Sequence, residues 1–250
     1  MRSNFGTALA LFGMLLMGAS LIWLDSLPHI EHPAQPQTSG QRNPFPLVVL
    51  DAGHGGHDSG AMCAGMMEKD LTLDVAQRLE RRLHEAGLST VMTRPDDKYI
   101  SLADRASLTN RIGNCILVSI HFNDADKTVS SGVETYYAEH QAAGRTLLAS
   151  WLPFLQPVSS DGANLESQSL AGFIQDALVK RTHAVNRGTK TQQFYVLANV
   201  RHPAVLVEGG FISNKEDASK LGNAEYREQL ADAVSDGILH YKEVLESEKP

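Results

Sequence analysis

The sequence predicts an α/β fold in a single domain, with a central, mostly parallel twisted sheet flanked by helices. Two observations predict it. Short apolar runs of strand length alternate with segments whose apolar residues recur at helical spacing, and clusters of unusual polar residues fall where those runs end, which is where ligands sit in such sheets. The 250 residues suffice for one substantial core, and the composition, 42% hydrophobic and 20% charged, is that of a folded globular chain.

The first 24 residues stand apart from this domain. From Ser3 to Leu24 no residue is charged, while Arg2 precedes the run and Asp25 follows it. Roughly 20 apolar residues in a helix span a bilayer core, and positive charge before the run predicts export of everything after it. Residues 1–24 are therefore read as a signal peptide or a membrane anchor. Gly18, Ala19 and Ser20 offer a weak cleavage site, whereas the continuation through Ile22, Trp23 and Leu24 favours the anchor. Residues 25–45 carry Pro28, Pro33, Pro36 and Pro44 without apolar periodicity, a linker composition. The domain is expected to occupy residues 46–246.

Within it, Leu47 to Leu50 reads as a strand buried on both faces. Leu71, Val75, Leu79 and Leu83 recur every four residues and mark a helix that Gly87 stops. Leu88 to Met92 reads as a strand and Leu102 to Ile112 as a helix. Ile116 to Ile120 and Val133 to Tyr137 are further strands. Leu170, Ile174, Ala177 and Leu178 mark a helix beginning near Ser167. Phe194 to Leu197 and Ala204 to Val207 read as strands, and Leu230, Val234, Ile238 and Tyr241 as a closing helix.

Several function classes are excluded early. A net charge of −7 argues against binding driven by phosphate contacts, so no nucleic-acid partner is expected. Two cysteines rule out a disulfide-dense scaffold and a four-cysteine zinc site. Serine acyl-enzyme motifs are missing: there is no S-x-x-K or G-x-S-x-G, and Lys190-Thr191 is followed by Gln192, so there is no K-T-G. The H-E-x-x-H helix of many metalloproteases is also absent.

The strand-end polar clusters carry the chemistry. Asp51 to Gly60 (DAGHGGHDSG) follows the first strand, Glu68 opens the first helix, His121-Phe122-Asn123 ends the Ser119-Ile120 strand, and Glu208-Gly209-Gly210 ends the strand over 204–207. Taken singly, a strand-end histidine is a hydrogen-bonding residue, and an early-helix glutamate answers the helix dipole. Jointly, two histidines and a carboxylate suit a catalytic zinc site with a position left open for water, and a further glutamate beside it suits a general base. A metal site at the carboxyl ends of the strands is therefore expected. The glycines beside His54 allow close backbone approach.

From about Pro46 to about Tyr241 the chain resembles the zinc-dependent N-acetylmuramoyl-L-alanine amidases of the amidase-3 type. The matching stretches are VVLDAGHGGHDSGA, EKDLTLDVAQRLERRL, TRPDDKYISLADRASLTN, LVSIHFNDA, SGVETYY, NRGTKTQQFYVL and PAVLVEGGFISN. The resemblance implies Zn2+ as cofactor, with His54, Glu68 and His121 as its ligands and Glu208 as the catalytic carboxylate. His57 falls at a position the family does not fix. The implied reaction is hydrolysis of the amide between N-acetylmuramic acid and L-alanine in peptidoglycan, in cell-wall remodelling or septum splitting. Asn123 is expected in the cleft. Arg94, Arg105 and Arg187, with Asn110 and Asn186, lie in matching segments, where they either contact substrate carboxylates or cap helices and tie loops together. The implied partners are peptidoglycan, an activator or divisome protein, and the membrane through the N-terminal segment. The implied location is the periplasm or cell envelope, either anchored in the inner membrane or released after signal cleavage. Two alternatives compete: a non-catalytic wall-binding relative, and a zinc peptidase cutting another stem-peptide amide.

Two local expectations complete the reading. Cys115 opens the strand that ends at His121, so it lies roughly 20 Å from the zinc-side Cys63 at about 3.3 Å per residue. Both thiols are thus expected free, with Cys115 the more buried. The stretch from about His140 to Glu166, apolar at Leu147, Leu148, Trp151, Leu152, Phe154 and Leu155, reads as a short helix and loop on the core or as a segment gating the cleft.

Overall fold

The computed structural model describes residues 45–63, 65–125, 129–141 and 161–247. The expected N-terminal segment, nearly all of the linker, and the stretch 142–160 on which the gating reading depends lie outside them. Among the described residues no helix is long and apolar enough to cross a membrane. Phe45, at the end of the expected linker, is buried against Tyr241 with ring centroids 6.3 Å apart.

Among the described residues, eight strands and six helices follow in order. They are β1 (Leu47–Ala52), β2 (Met62–Cys63), β3 (Met66–Met67), α1 (Glu68–Glu85), β4 (Thr90–Met92), α2 (Leu102–Arg111), β5 (Cys115–Asn123) and β6 (Val133–Tyr137). Then come α3 (Asp161–Thr182), β7 (Asn186–Thr191), α4 (Tyr195–Ala198), β8 (Ala204–Phe211), α5 (Lys215–Leu221) and α6 (Ala224–Ser247). Six strands form one sheet in the order β4-β1-β5-β8-β6-β7, and β2 with β3 makes a small antiparallel ribbon. Strands β4, β1, β5 and β8 pair in parallel, β6 runs antiparallel to β8, and β7 is parallel to β6. The mostly parallel sheet flanked by helices is thus present, with one reversal. That reversal brings the start of β6 and β7 to the carboxyl end of β8.

Alternation along the strands sorts the core into two layers. Val48, Leu50, Val118, Ile120, Val205 and Val207 face α1, α3 and α6 through Leu71, Val75, Leu79, Leu83, Leu170, Ile174, Leu178, Leu230, Val234 and Ile238. Full burial of each such side chain is worth about 1.5–3 kcal/mol. Val49, Leu117, Ala204 and Leu206 face a smaller layer made by Ala106 of α2 and by Val196 and Leu197 of α4. By the same period of two, Asp51, Ser119, His121, Glu134 and Glu208 fall on this thinly covered side. Helix α1 ends as Gly87 predicts: at φ +77 it lets Leu88 N–H reach Leu83 O at 2.9 Å.

Several elements differ from the sequence reading, among them the β2-β3 ribbon and α5, which it did not include. Phe194 to Leu197 does not form a strand; Leu197 and Ala198 N–H turn back to Phe194 O at 3.0 and 2.8 Å and make α4. A four-residue apolar run cannot by itself distinguish the two states. Helix α3 starts at Asp161, ahead of Ser167. Strand β7, Asn186–Thr191, is a polar edge strand with no apolar run to announce it. Both cysteines are free, Cys63 half-buried and Cys115 buried.

Candidate metal centre

The loop after β1 and the ends of β5 and β8 meet the start of α1. There His54, Glu68 and His121 each present a ligand atom, and these atoms all lie within 4.8 Å of one another. His54 Nε2 is 3.1 Å from Glu68 Oε2, and His121 Nδ1 is 2.9 Å from Glu68 Oε1. Glu68 is fixed in this position by the backbone: Ala61 N–H donates to Oε2 at 3.0 Å and Phe122 N–H to Oε1 at 3.1 Å. Two glycines make the approach possible. A Cβ on Gly53 would stand 2.3 Å from the His121 ring, and one on Gly60 would stand 2.6 Å from Glu68 Oε2 and from the His54 ring.

His54 is held in the left-handed region, φ +60, where a residue with a side chain is uncommon. Its partners hold it there. The Arg105 Nη2 group donates to His54 O at 2.6 Å, and His54 Nδ1 lies 3.0 Å from both oxygens of Asp58. Burial would lower the His54 pKa, yet the hydrogen bonds and charges of Glu68 and Asp58 raise it. Burial would raise Glu68, but the bonds and charges of His121 and His54 hold it well below the ordinary carboxylate range. The cluster is anionic at heart and electrostatically ready for a cation. Two imidazoles and a carboxylate are also a zinc donor set by chemistry. The residues therefore fit the ion.

Glu208 is the register partner of His121 on the adjoining strand. It lines a cavity of about 260 Å³ together with His54, Glu68, His121, Asn123, Phe194 and Tyr195. Its Oε2 is buried without a hydrogen-bond partner among the described residues. Burial first, then the neighbouring charges of Glu68 and Glu134, push its pKa well above the ordinary value. A carboxyl group whose charged form is so disfavoured has a high proton affinity, which is what proton transfer asks of it.

The other singled-out residues divide. Asn123 lines the cavity and donates Nδ2–H to Glu134 Oε1 at 2.7 Å. Arg94 is 1% exposed and binds Ala52 O, Gly53 O, Lys69 O, Asp96 O and Thr72 Oγ1, beneath the loop that carries His54. Arg105 pairs with buried Asp51 at 2.6 Å and binds Ala52 O, His54 O and Ile100 O. Asn110 spans to Asn199 O and Arg201 N–H, tying α2 to the segment after α4. Asn186 accepts from Gln175 and from Gly188 N–H. Arg187 pairs with Glu134 Oε2 at 2.7 Å. His57 stays outside the cluster, with its ring 4.2 Å from that of Tyr99. Asp51, Asp58 and Glu134 carry roles that sequence reasoning did not assign. Asp58 sits inside the glycine-rich motif and Glu134 in a strand that predicts alternation, but only the fold shows what they touch.

The fold is that of known N-acetylmuramoyl-L-alanine amidases. The structure aligns with the crystal structure of the enzyme from Clostridium difficile 630 at a TM-score of 0.67, with 32% identity over 80% of this chain and 97% of that one. Among curated proteins, Bacillus subtilis YqiI, itself uncharacterized, is 37% identical over 194 residues, 78% of this chain and 84% of that protein. The N-acetylmuramoyl-L-alanine amidase LytC of the same organism is 35% identical over 78% of this chain but only 35% of its own length. The family model described as N-acetylmuramoyl-L-alanine amidase, amidase-3, matches residues 48–240, and the chain belongs to that family.

Proposed function

We propose that this protein is a zinc-dependent N-acetylmuramoyl-L-alanine amidase that cleaves the amide between N-acetylmuramic acid and L-alanine in peptidoglycan. The observation that carries the reading is the convergence of His54, Glu68 and His121 beside the buried Glu208, whose Oε2 has no hydrogen-bond partner among the described residues. His54, Glu68 and His121 would hold the ion. Bound zinc supplies a Lewis acid that polarises the scissile carbonyl and makes water more acidic. Glu208 takes the proton from the attacking water and delivers it to the departing amine of L-alanine. Its burial keeps its proton affinity high enough for both transfers. Asn123 lines the approach, and Arg94 and Arg105 act from below by holding the His54 loop.

The presence of all four site residues favours an enzyme over a wall-binding relative. Export and a place in the cell envelope follow from the apolar N-terminal run and from the wall substrate. The layout proposed is a signal or anchor over 1–24, a linker over 25–45 and the catalytic domain over 46–246, with an activator as a further partner. The test is mass spectrometry of muropeptides incubated with the protein, with and without a zinc chelator. The expected products are N-acetylmuramic acid ends and stem peptides with a free L-alanine amine, absent under chelation. Release at another amide would identify a peptidase.

A further inference from the structure

One wall of the cleft carries a second cluster of charged groups. Glu134, 1% exposed, is the cross-strand partner of Glu208 on antiparallel β6. Both of its oxygens are saturated: Oε1 accepts from Asn123 Nδ2 at 2.7 Å and Tyr136 OH at 2.6 Å, and Oε2 accepts from Arg187 Nε at 2.7 Å and Lys190 Nζ at 2.5 Å. Arg187 also lies over Phe211, its guanidinium carbon 4.8 Å from the ring centroid, and Lys190 Nζ lies 5.7 Å from the Tyr136 ring centroid.

Two cations on one carboxylate leave one positive charge over. Arg187 and Lys190 are 32% and 36% exposed at their side chains. The terminal nitrogens of Arg187 and the remaining protons of Lys190 have no acceptor among the described residues. The shelf adjoins the cavity, because Asn123 lines the cavity and Tyr136 packs edge-on against cavity-lining Phe194 at 5.2 Å. The cavity lining itself contains Glu68, Asp124 and Glu208 but no lysine or arginine. The shelf therefore sets two basic side chains beside a cavity whose own lining has none.

We infer that Arg187 and Lys190, held in place by Glu134, form a subsite for a free carboxylate of the stem peptide. A guanidinium fork beside an ammonium matches a planar monoanion. A dianionic phosphate would be undercompensated by one surplus charge next to two glutamates. The subsite rests on the amidase reading for the identity of its substrate, while its chemistry comes from these residues alone.

The test compares N-acetylmuramoyl-L-alanyl-D-glutamate with the same molecule whose glutamate carboxylates are carboxamides. Hydrolysis is followed with the wild-type protein, Arg187→Gln and Lys190→Gln. The wild type should show a KM about tenfold lower for the acid, the scale of a hydrogen bond to a charged group. In both variants this preference should collapse towards one, and Lys190→Gln, on an edge strand, tests it should Arg187→Gln fail to fold. A wild type without preference, or a preference that persists in Lys190→Gln, overturns the subsite while leaving the amidase reading intact. Should neither compound be hydrolysed, the amidase reading falls and calorimetric binding of the same pair decides the subsite: tighter binding of the acid, lost in Lys190→Gln, upholds it, and equal binding overturns it.

Discussion

His54 Nδ1 lies 3.0 Å from both carboxylate oxygens of Asp58, and this bond determines which ring nitrogen faces the ligand cluster. With the Nδ1 proton directed at Asp58, the Nε2 lone pair is left for a metal, the arrangement that outer carboxylates impose on zinc-binding histidines. Asp58→Ala should weaken zinc binding by about 10–100-fold. Competition with a chromophoric chelator measures this directly, and an unchanged zinc affinity would remove Asp58 from the site.

Glu208→Gln should keep the metal and lose turnover by at least about a hundredfold, the usual scale for removing a general base. The amide fills the same space beside His121 but accepts no proton at neutral pH. Near wild-type cleavage by the variant, with zinc retained, would mean that another group moves the proton.

Asp51 beneath the His54 loop should govern acid stability. Burial alone would raise its pKa, but the Arg105 charge and hydrogen bonds from Thr93, Ser119 and Arg105 lower it below the unfolded value. A depressed carboxylate contributes stability above the unfolded pKa of about 3.9 and loses that contribution as pH falls through the lower folded value. Asp51→Asn leaves the Arg105 guanidinium buried without its counter-charge, so it should cost about 3–5 kcal/mol at pH 7. Urea unfolding at a series of pH values checks both parts: the gap between wild type and variant should narrow only below about pH 4.

Both thiols should remain free in the folded protein, so reduction should not change its mass. Burial pushes the Cys115 thiol up to about 11, so at pH 8 it should alkylate far more slowly than half-buried Cys63. Equal labelling rates in the folded protein would contradict the burial of Cys115 at the start of β5.

The parts of this molecule visible in its sequence are those set by local pattern. Leu71, Val75, Leu79 and Leu83 announce α1 because one face of a helix meets the core every fourth residue, and all four are buried. His54, His121 and Glu208 stand out because each follows a short apolar run, and such runs point to the carboxyl side of a parallel sheet. What escaped the sequence depends on three-dimensional pairing. Strand β7 reads NRGTKT and has no apolar face, so only its partner β6 makes it a strand. The reversal of β6 cannot be read from VETYY, yet it alone puts Glu134 beside Glu208. For Arg94 and Arg105 the sequence leaves substrate contact and loop-tying open, and only the fold shows them bound to carbonyls of the His54 loop.

The proposed chemistry depends on the metal. Zinc should be measured by elemental analysis of purified protein after exhaustive dialysis, in the wild type and in His121→Ala, with circular dichroism as the check on folding. One zinc per wild-type chain and almost none in a folded His121→Ala are expected. Full zinc occupancy in that variant, or a metal-free wild type that still cleaves muropeptides, would contradict the metal assignment.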